Sequence, residues 1–193
     1  MTLSVNEICK SYSEKVVLDR FSCEFTKGIN FLTGSSGIGK TTLLRIICGL
    51  EKPDFGSITG LVGAPAVMFQ EDRLIPDLSA IDNVRIVLRV KPNRQEISNN
   101  LLSILPDDSL DMPVSSLSGG MKRRVALARA LSYPGKLIIL DEPFTGLDKD
   151  TKLSVIDYIL KMRNNRTLLI ATHGTDDANL LGAEIIKLNK NIN

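Results

Sequence analysis

The alternation of apolar and polar residues in the first 33 positions predicts a series of short β-strands. Four apolar runs occupy this part of the chain, at residues 3–8, 16–18, 21–25 and 29–32. Turn-prone residues separate them, as is typical of strands that bury one face. The last run leads directly into a glycine-rich stretch, which predicts that a loop follows it.

A helical period replaces this alternation after the glycines. Within residues 41–50, Leu43, Leu44, Ile46 and Ile47 recur at the spacing of one helix face, and Gly49 stands where a helix commonly ends. The segment therefore predicts the order strand, glycine loop, helix.

The remainder of the chain mixes helical segments with short apolar strands. The predicted strands cover residues 57–61, 66–69, 136–140, 167–172 and 184–188. The predicted helices cover residues 80–90, 94–105, 125–131 and 151–163. Helices that alternate with unbroken apolar strands predict an α/β fold, in which helices cover both faces of a largely parallel sheet.

The change of pattern at Glu71 predicts an inserted lobe that is mainly helical. We predict one domain whose core is formed by residues 1–70 and 132–193, with the insertion at residues 71–131. A length of 193 residues is in keeping with one such unit.

Composition and charge disfavour several classes of protein. The 24 Lys and Arg against 22 Asp and Glu leave a net charge of +2, too balanced for a domain that neutralises nucleic-acid phosphates, so no nucleic-acid partner is expected. The three cysteines are scattered and predict neither a disulfide framework nor a zinc site. Because no apolar run approaches the roughly 20 residues of a membrane span and no export signal begins the chain, a cytoplasmic location is expected.

The glycine-rich stretch carries the strongest chemical signal. Residues 34–41 read Gly-Ser-Ser-Gly-Ile-Gly-Lys-Thr, the pattern of a phosphate-binding P-loop, between a predicted strand and a predicted helix. Glycines allow successive backbone N–H groups to turn towards phosphate oxygens. A flexible glycine turn, the alternative, explains neither the Lys-Thr pair nor the strand. The residues predicted to contact a nucleoside triphosphate here are Gly34, Ser35, Ser36, Gly37, Ile38, Gly39, Lys40, Thr41 and Thr42.

Two acidic residues follow the apolar run 137–140 and suggest a cation site. Charges at the end of a buried strand are costly unless they meet a cation or solvent. Lys40 is predicted to reach the β- and γ-phosphates, and Thr41 and Asp141 to hold the Mg²⁺ of the nucleotide. Glu142 is placed to accept a proton from an attacking water or to orient it. An Asp-Glu pair after a strand is often only a surface turn, but the P-loop upstream favours function.

Residues 117–121 read Leu-Ser-Gly-Gly-Met, and a basic run and a helix follow. With this element the chain resembles the ATP-binding-cassette ATPases, the nucleotide-hydrolysing subunits of ABC transporters. The resemblance implies a P-loop NTPase core with a mixed sheet, an antiparallel β-subdomain and an inserted helical subdomain. It also implies that Ser118, Gly119 and Gly120 close on ATP held by another subunit, in a head-to-tail homodimer or a pair of related cassettes. An N-capped helix without a ligand is the alternative.

Four weaker matches fall in the order of the family. Gln70 resembles the glutamine that senses Mg²⁺ and the γ-phosphate, and is otherwise a polar strand end. Asp148 resembles a residue of the loop that crosses the dimer, and is otherwise a helix N-cap. His173, the single histidine, matches the switch histidine that contacts the γ-phosphate, and Tyr12 matches the aromatic residue that stacks on adenine. A structural His and a core or surface Tyr are the alternatives.

The resemblance implies an ATPase whose catalytic residues are Glu142, His173 and Lys40 and whose Mg²⁺ contacts are Thr41, Gln70 and Asp141. Residues 69–76 and 117–130 are most similar to importers of the nitrate, sulfonate and taurine branch. The implied partners are integral membrane permease subunits that dock near Gln70 and, indirectly, an extracytoplasmic solute-binding protein. The implied location is the inner face of the cell membrane.

Two other functions are alternatives to transport. One is a non-transport ABC ATPase that acts on DNA, the ribosome or the cell-division apparatus. The other is a catalytically idle module gated by ATP. The basic run Lys122, Arg123 and Arg124 is expected on a solvated helix face rather than on nucleic acid.

Overall fold

A computed structural model describes residues 2–88, 90 and 93–189 of the chain. It divides into two compact units. The first comprises Met1–Pro65, Gly135–Glu142 and Asn165–Asn193, and the second Ala66–Pro134 and Pro143–Asn164. The second unit contains all of the predicted insertion, together with residues 66–70, 132–134 and 143–164. The insertion bounds of 71–131 stay a prediction.

The secondary structure alternates strands and helices along most of the chain. The strands are β1 Leu3–Tyr12, β2 Lys15–Phe25, β3 Ile29–Thr33, β4 Phe55–Thr59, β5 Ala66–Met68, β6 Leu137–Asp141, β7 Thr167–Thr172 and β8 Glu184–Lys187. The helices are α1 Lys40–Ile47, α2 Ala80–Arg85, α3 Arg94–Leu101, α4 Gly119–Ser132, α5 Lys149–Arg163 and α6 Asp176–Leu180. Two short 3₁₀ turns lie at Asp107–Ser109 and Val114–Ser116.

Two groups of strands build the first unit. β6, β7, β3 and β8 run parallel in that order, and every residue of β3, β6 and β7 is buried. β2, β1 and β4 form a separate antiparallel sheet. Near-continuous apolar sequence suits the parallel strands, because parallel strands are usually covered on both faces. Their register pairs Thr33 with Thr172 and Asp141 with Ala171, so three strand ends meet at one edge.

Helix α1 ends in the way that the sequence predicts. Gly49 adopts a left-handed conformation with φ of 69°. Its N–H donates to Ile46 O at 3.0 Å, and the N–H of Leu50 donates to Arg45 O at 3.0 Å. This pair of bonds satisfies carbonyls at the helix end and terminates the helix, which glycine permits at little cost.

The second unit is mainly helical. Helix α4 buries an apolar face that includes Val125, Leu127 and Leu131. The fully buried side chain of Asn83 accepts from Ile75 N–H at 2.9 Å and donates to Ile75 O at 3.1 Å, so it holds the segment before α2 in place. Within the described residues, no helix is long and apolar enough to cross a membrane.

Several predicted boundaries are wrong, and exposure explains the clearest case. Helix α2 ends at Arg85 instead of continuing to residue 90, because Ile86 is 58% exposed and no surface covers it; residue 89 of that prediction lies outside the described residues. Helix α3 ends at Leu101 rather than 105. The predicted strands at 16–18 and 21–25 form one strand, β2, and β4 begins two residues earlier than predicted. Helix α6 was not predicted.

Candidate nucleotide-binding site

The loop from Gly34 to Gly39 connects β3 to α1 and has a backbone that requires glycine. Gly37 and Gly39 have φ of 74° and 120°, which residues with a side chain rarely adopt. A Cβ atom at Gly39 would also lie 3.0 Å from Val17 Cγ1. Both conditions exclude bulkier residues at Gly39, so the loop keeps the shape that the phosphate-binding pattern predicts.

The ammonium group of Lys40 lies within this loop. Its Nζ donates to Gly34 O at 2.7 Å and to Ser35 O at 3.2 Å, and the residue is only 7% exposed. A buried ammonium requires such acceptors, because an unpaired buried charge is costly. The loop therefore carries a fixed positive charge beside its carbonyl oxygens, which is suited to an anionic ligand.

Thr41 and Asp141 meet at the edge where the parallel strands end. The Thr41 hydroxyl donates to Asp141 Oδ2 at 2.8 Å, and Asp141 is 1% exposed. A hydroxyl and a carboxylate are the hard oxygen donors that Mg²⁺ prefers. The residues present therefore fit a magnesium ion, and two of the three side chains predicted to hold it are in direct contact.

Glu142 is held by three groups at the same edge. Its N–H donates to Ala171 O at 2.8 Å, and its φ is 53°, a strained value for a residue with a side chain. His173 Nδ1 lies 3.2 and 3.1 Å from the two carboxylate oxygens. The Thr172 hydroxyl donates to Oε2 at 3.4 Å. The imidazole is 68% exposed and the carboxylate side chain 17%, so water reaches the pair mainly at the imidazole.

Sequence reasoning did not assign a role to Thr172. The residue is 9% exposed and its hydroxyl also accepts from Gly174 N–H at 3.4 Å. Its position at the carboxyl end of β7, beside His173, was the available signal. The first unit thus contains Lys40 and the contacting pair Thr41 and Asp141, and it also brings Glu142, which follows β6, to Thr172 and His173 at the end of β7.

The predicted signature residues Ser118, Gly119 and Gly120 and the predicted dimer-loop residue Asp148 lie in the second unit, where Ser118 and Asp148 cap helices. Ser118 Oγ accepts from Met121 N–H at 3.3 Å at the start of α4, and Gly119 and Gly120 form its first exposed residues. Asp148 accepts from the Thr151 N–H at 2.9 Å and from its hydroxyl at 2.7 Å at the start of α5. These two bonds lower the pKa of Asp148. Both capping alternatives are therefore present, and the ligand contacts of these residues stay predictions.

Arginines of α4 fasten the segment that follows Gln70. Arg123 donates to Gln70 O at 2.7 Å and forms an ion pair with Asp72 at 3.3 Å. Arg129 donates to the carbonyl oxygens of Asp72 and Arg73, both at 2.8 Å. Hydrogen bonds from charged donors are stronger than neutral ones. The segment of the predicted sensing glutamine is therefore attached to the same helix that begins at Ser118.

The expectation that the basic run lies on a solvated face is wrong for Arg123. Its side chain is 13% exposed and points to Gln70 O and Asp72. Arg124 donates to Ile104 O at 2.8 Å and to Gly120 O at 3.1 Å, and burial lowers its pKa. Charge patterning along a helix predicts exposure only on average, because carbonyls of neighbouring segments can bind a guanidinium group.

Arg129→Ala is expected to destabilise the second unit by about 1–3 kcal/mol, because two backbone carbonyls lose a charged donor. Urea unfolding followed by circular dichroism would measure the change in the free energy of unfolding. Lys161→Ala, at an exposed position of α5, is the matched control and should change stability little. Equal unfolding midpoints for the two variants would contradict the attachment.

The sequence of this chain is similar to a known protein family and to known proteins. A family model described as ABC transporter matches residues 18–145. An aliphatic sulfonates import ATP-binding protein of Corynebacterium glutamicum is 40% identical, covering 96% of this chain and 79% of that protein. A protein of the same description from Nocardia farcinica is 38% identical, covering 98% of this chain and 79% of its own length.

The fold of this chain is also similar to that of a solved structure. It is a dimeric ATP-binding cassette in a post-hydrolysis state bound to ADP and Pi, with a TM-score of 0.82 and 25% identity, and the match covers 97% of this chain and 94% of that one. The predicted α/β P-loop fold class and the predicted similarity to sulfonate importers are both confirmed. The family model matches this chain, and the relatives match nearly its whole length. The chain therefore belongs to the ABC transporter family.

Proposed function

We propose that this chain is the ATP-hydrolysing subunit of an ABC importer and couples ATP binding and hydrolysis to solute transport through separate membrane subunits. The observation that carries the proposal is the contact of Thr41 with Asp141 at 2.8 Å beside the loop that encloses Lys40. It joins a triphosphate-binding loop to a carboxylate suited to the accompanying cation. The relatives named as import ATP-binding proteins support the direction of transport.

The triphosphate binds along the P-loop. Backbone N–H groups and Lys40 hold the β- and γ-phosphates, while Tyr12 stacks on the adenine ring. Thr41 and Asp141 would hold Mg²⁺, which would neutralise charge that develops on the phosphates, and the contact of Gln70 with this ion stays a prediction. The hard oxygen donors of the first two residues support this assignment.

Glu142 and His173 organise the attacking water. Glu142 accepts its proton or orients it, and His173 contacts the γ-phosphate. Thr172 supports the carboxylate through its hydroxyl. The exposure of the imidazole and the polar contacts of Glu142 support these roles, because a base must be reachable by water and held in one orientation.

Two copies of the cassette, or two related cassettes, enclose ATP head to tail. Ser118, Gly119, Gly120 and Asp148 of one subunit face the nucleotide held by the other. Exposed glycines at the start of α4 leave its N–H groups accessible to an anion, which supports this role. The domain bounds proposed from sequence, a core of 1–70 and 132–193 with an insertion of 71–131, assign the signature to the inserted lobe.

The partners are integral membrane permease subunits, and indirectly an extracytoplasmic solute-binding protein. The chain then lies on the cytoplasmic face of the cell membrane, attached through those subunits. The sulfonates named for the relatives make a small organic sulfonate the first cargo to test. No feature of the described residues favours the alternative of a non-transport ATPase.

The test is affinity purification of the tagged chain from membranes of its own host, followed by mass spectrometry. Permease subunits that copurify, with ATPase activity stimulated in their presence, are the expected result. Copurification of ribosomal, DNA-bound or division proteins instead would overturn the transport function while leaving the ATPase assignment in place.

A further inference from the structure

The aromatic ring of Tyr12, the last residue of β1, has a cation on one of its faces. The ammonium group of Lys10 lies over the ring, 5.4 Å from the centroid, within the range of a cation–π contact. Tyr12 is nevertheless 44% exposed. Because Lys10 takes one face of the ring, a planar ligand has the opposite face available.

The segment 51–54 after α1 holds the ammonium group of Lys10 in place. Lys10 Nζ donates to Lys52 O at 3.0 Å, and it forms ion pairs with Asp54 at 3.2 Å and with Glu51 at 3.3 Å. The Lys10 side chain is only 14% exposed. All three acceptors belong to this segment, so the position of the cation does not depend on the contact with Tyr12.

A cation in this position changes how the ring of Tyr12 can stack on a ligand. The faces of aromatic rings carry partial negative charge, which opposes direct stacking of two rings. A positive charge on one face of Tyr12 offsets part of that repulsion at the other face. The contact also restricts the side chain before a ligand arrives, and rotamer freedom that is already lost no longer weakens binding. Both effects favour a stacked base, and neither acts on phosphates.

We propose that Lys10 is a positioning residue that holds Tyr12 for stacking on the base of the nucleotide, an inference that rests on the proposed function. Lys10 increases the affinity for the base and not for the phosphates, because its charge is already paired with Glu51 and Asp54. The effect depends on the charge of the side chain. Arginine at this position therefore retains it, and neutral side chains of similar length lose it.

The test compares binding of ATP with binding of inorganic tripolyphosphate by isothermal titration calorimetry in the full chain. Lys10→Met is expected to weaken ATP binding by about 2- to 5-fold, the loss of one exposed cation–π contact, and to leave tripolyphosphate binding unchanged. Lys10→Gln can still donate to Lys52 O and should weaken ATP binding to the same extent, which separates loss of the cation from loss of the segment 51–54. Lys10→Arg should retain most of the ATP affinity.

The effect of Lys10 should depend on the ring of Tyr12. In a chain that carries Tyr12→Ala, the further change Lys10→Met should alter ATP affinity little. Lys15→Met is the matched control, because Lys15 pairs with Tyr12 across β1 and β2, yet among the described residues only Lys10 places its ammonium group over this ring. The ATP affinity of Lys15→Met should stay near that of the unaltered chain.

Three results would each overturn the inference. They are an equal loss for both ligands, a loss in Lys15→Met as large as that in Lys10→Met, and an undiminished effect of Lys10→Met in the Tyr12→Ala chain. If the unaltered chain bound tripolyphosphate and ATP equally well, the base contact would be absent and the inference would fail while the phosphate site stood. Binding of neither ligand would overturn the proposed function itself.

Discussion

Glu142→Gln is expected to slow ATP hydrolysis by about 10²- to 10⁴-fold while ATP still binds. A glutamine side chain has nearly the same shape, and its oxygen still accepts a hydrogen bond from Thr172 or His173. It cannot accept a proton from water near neutral pH, however. If Glu142 is the base, the step lost is proton transfer, and the γ-phosphate persists in the site. Phosphate release under saturating ATP measures the rate.

The same variant should reveal the pairing of two cassettes. If ATP bridges two cassettes as proposed, ATP that is not hydrolysed should keep them together, and an ATP-dependent dimer should accumulate on size-exclusion chromatography. Glu24→Gln, at an exposed position of β2, makes the same chemical change away from the site and should retain normal turnover. Unchanged turnover of Glu142→Gln would remove this residue from the role of base.

Lys40→Ala is expected to weaken ATP binding by about 10²-fold or more, since hydrogen bonds to charged groups contribute about 1.5–3 kcal/mol each. The ammonium is the buried cation of the P-loop, held between Gly34 O and Ser35 O. Its removal takes away the positive charge that we propose faces the phosphates. Binding of a fluorescent ATP analogue, measured by titration, gives the change in Kd.

Lys27→Ala is the control for this prediction, because Lys27 is an exposed lysine in the turn before β3. Its affinity for ATP should be unchanged. Thermal unfolding of Lys40→Ala without nucleotide shows whether the substitution disrupts the folded structure or only removes a contact with the ligand. If a folded Lys40→Ala protein bound ATP as tightly as the unaltered chain, the P-loop would not be the phosphate site.

Local signals in the sequence predicted the elements around the P-loop well. The apolar run at 29–32 is β3, the period after it is α1, and strand β7 has the predicted bounds of 167–172. In each case the residues that decide the element lie within a few positions of one another. Backbone hydrogen bonding and the burial of one face therefore already specify the structure locally.

The same local signals predict the wrong helix end where an apolar residue is exposed. Ile86 and Val90 continue the apolar pattern of α2, yet they are 58% and 82% exposed and the helix ends at Arg85. The apolar period indicates which side chains could be buried. Tertiary packing decides which of them are covered by other segments of the chain. Helix α6, five residues long, has too few positions for a period to be detected.

The sequence by itself determined the chemistry of the phosphate loop, the order of its flanking elements and the family resemblance, because these depend on adjacent residues. Tertiary structure alone decided that Thr172 and His173 bind Glu142, with Glu142 and His173 31 positions apart, and that Glu51 meets Lys10. Such contacts depend on which strands become neighbours and in what register. Register follows from the packing of the whole sheet, and no local pattern contains it.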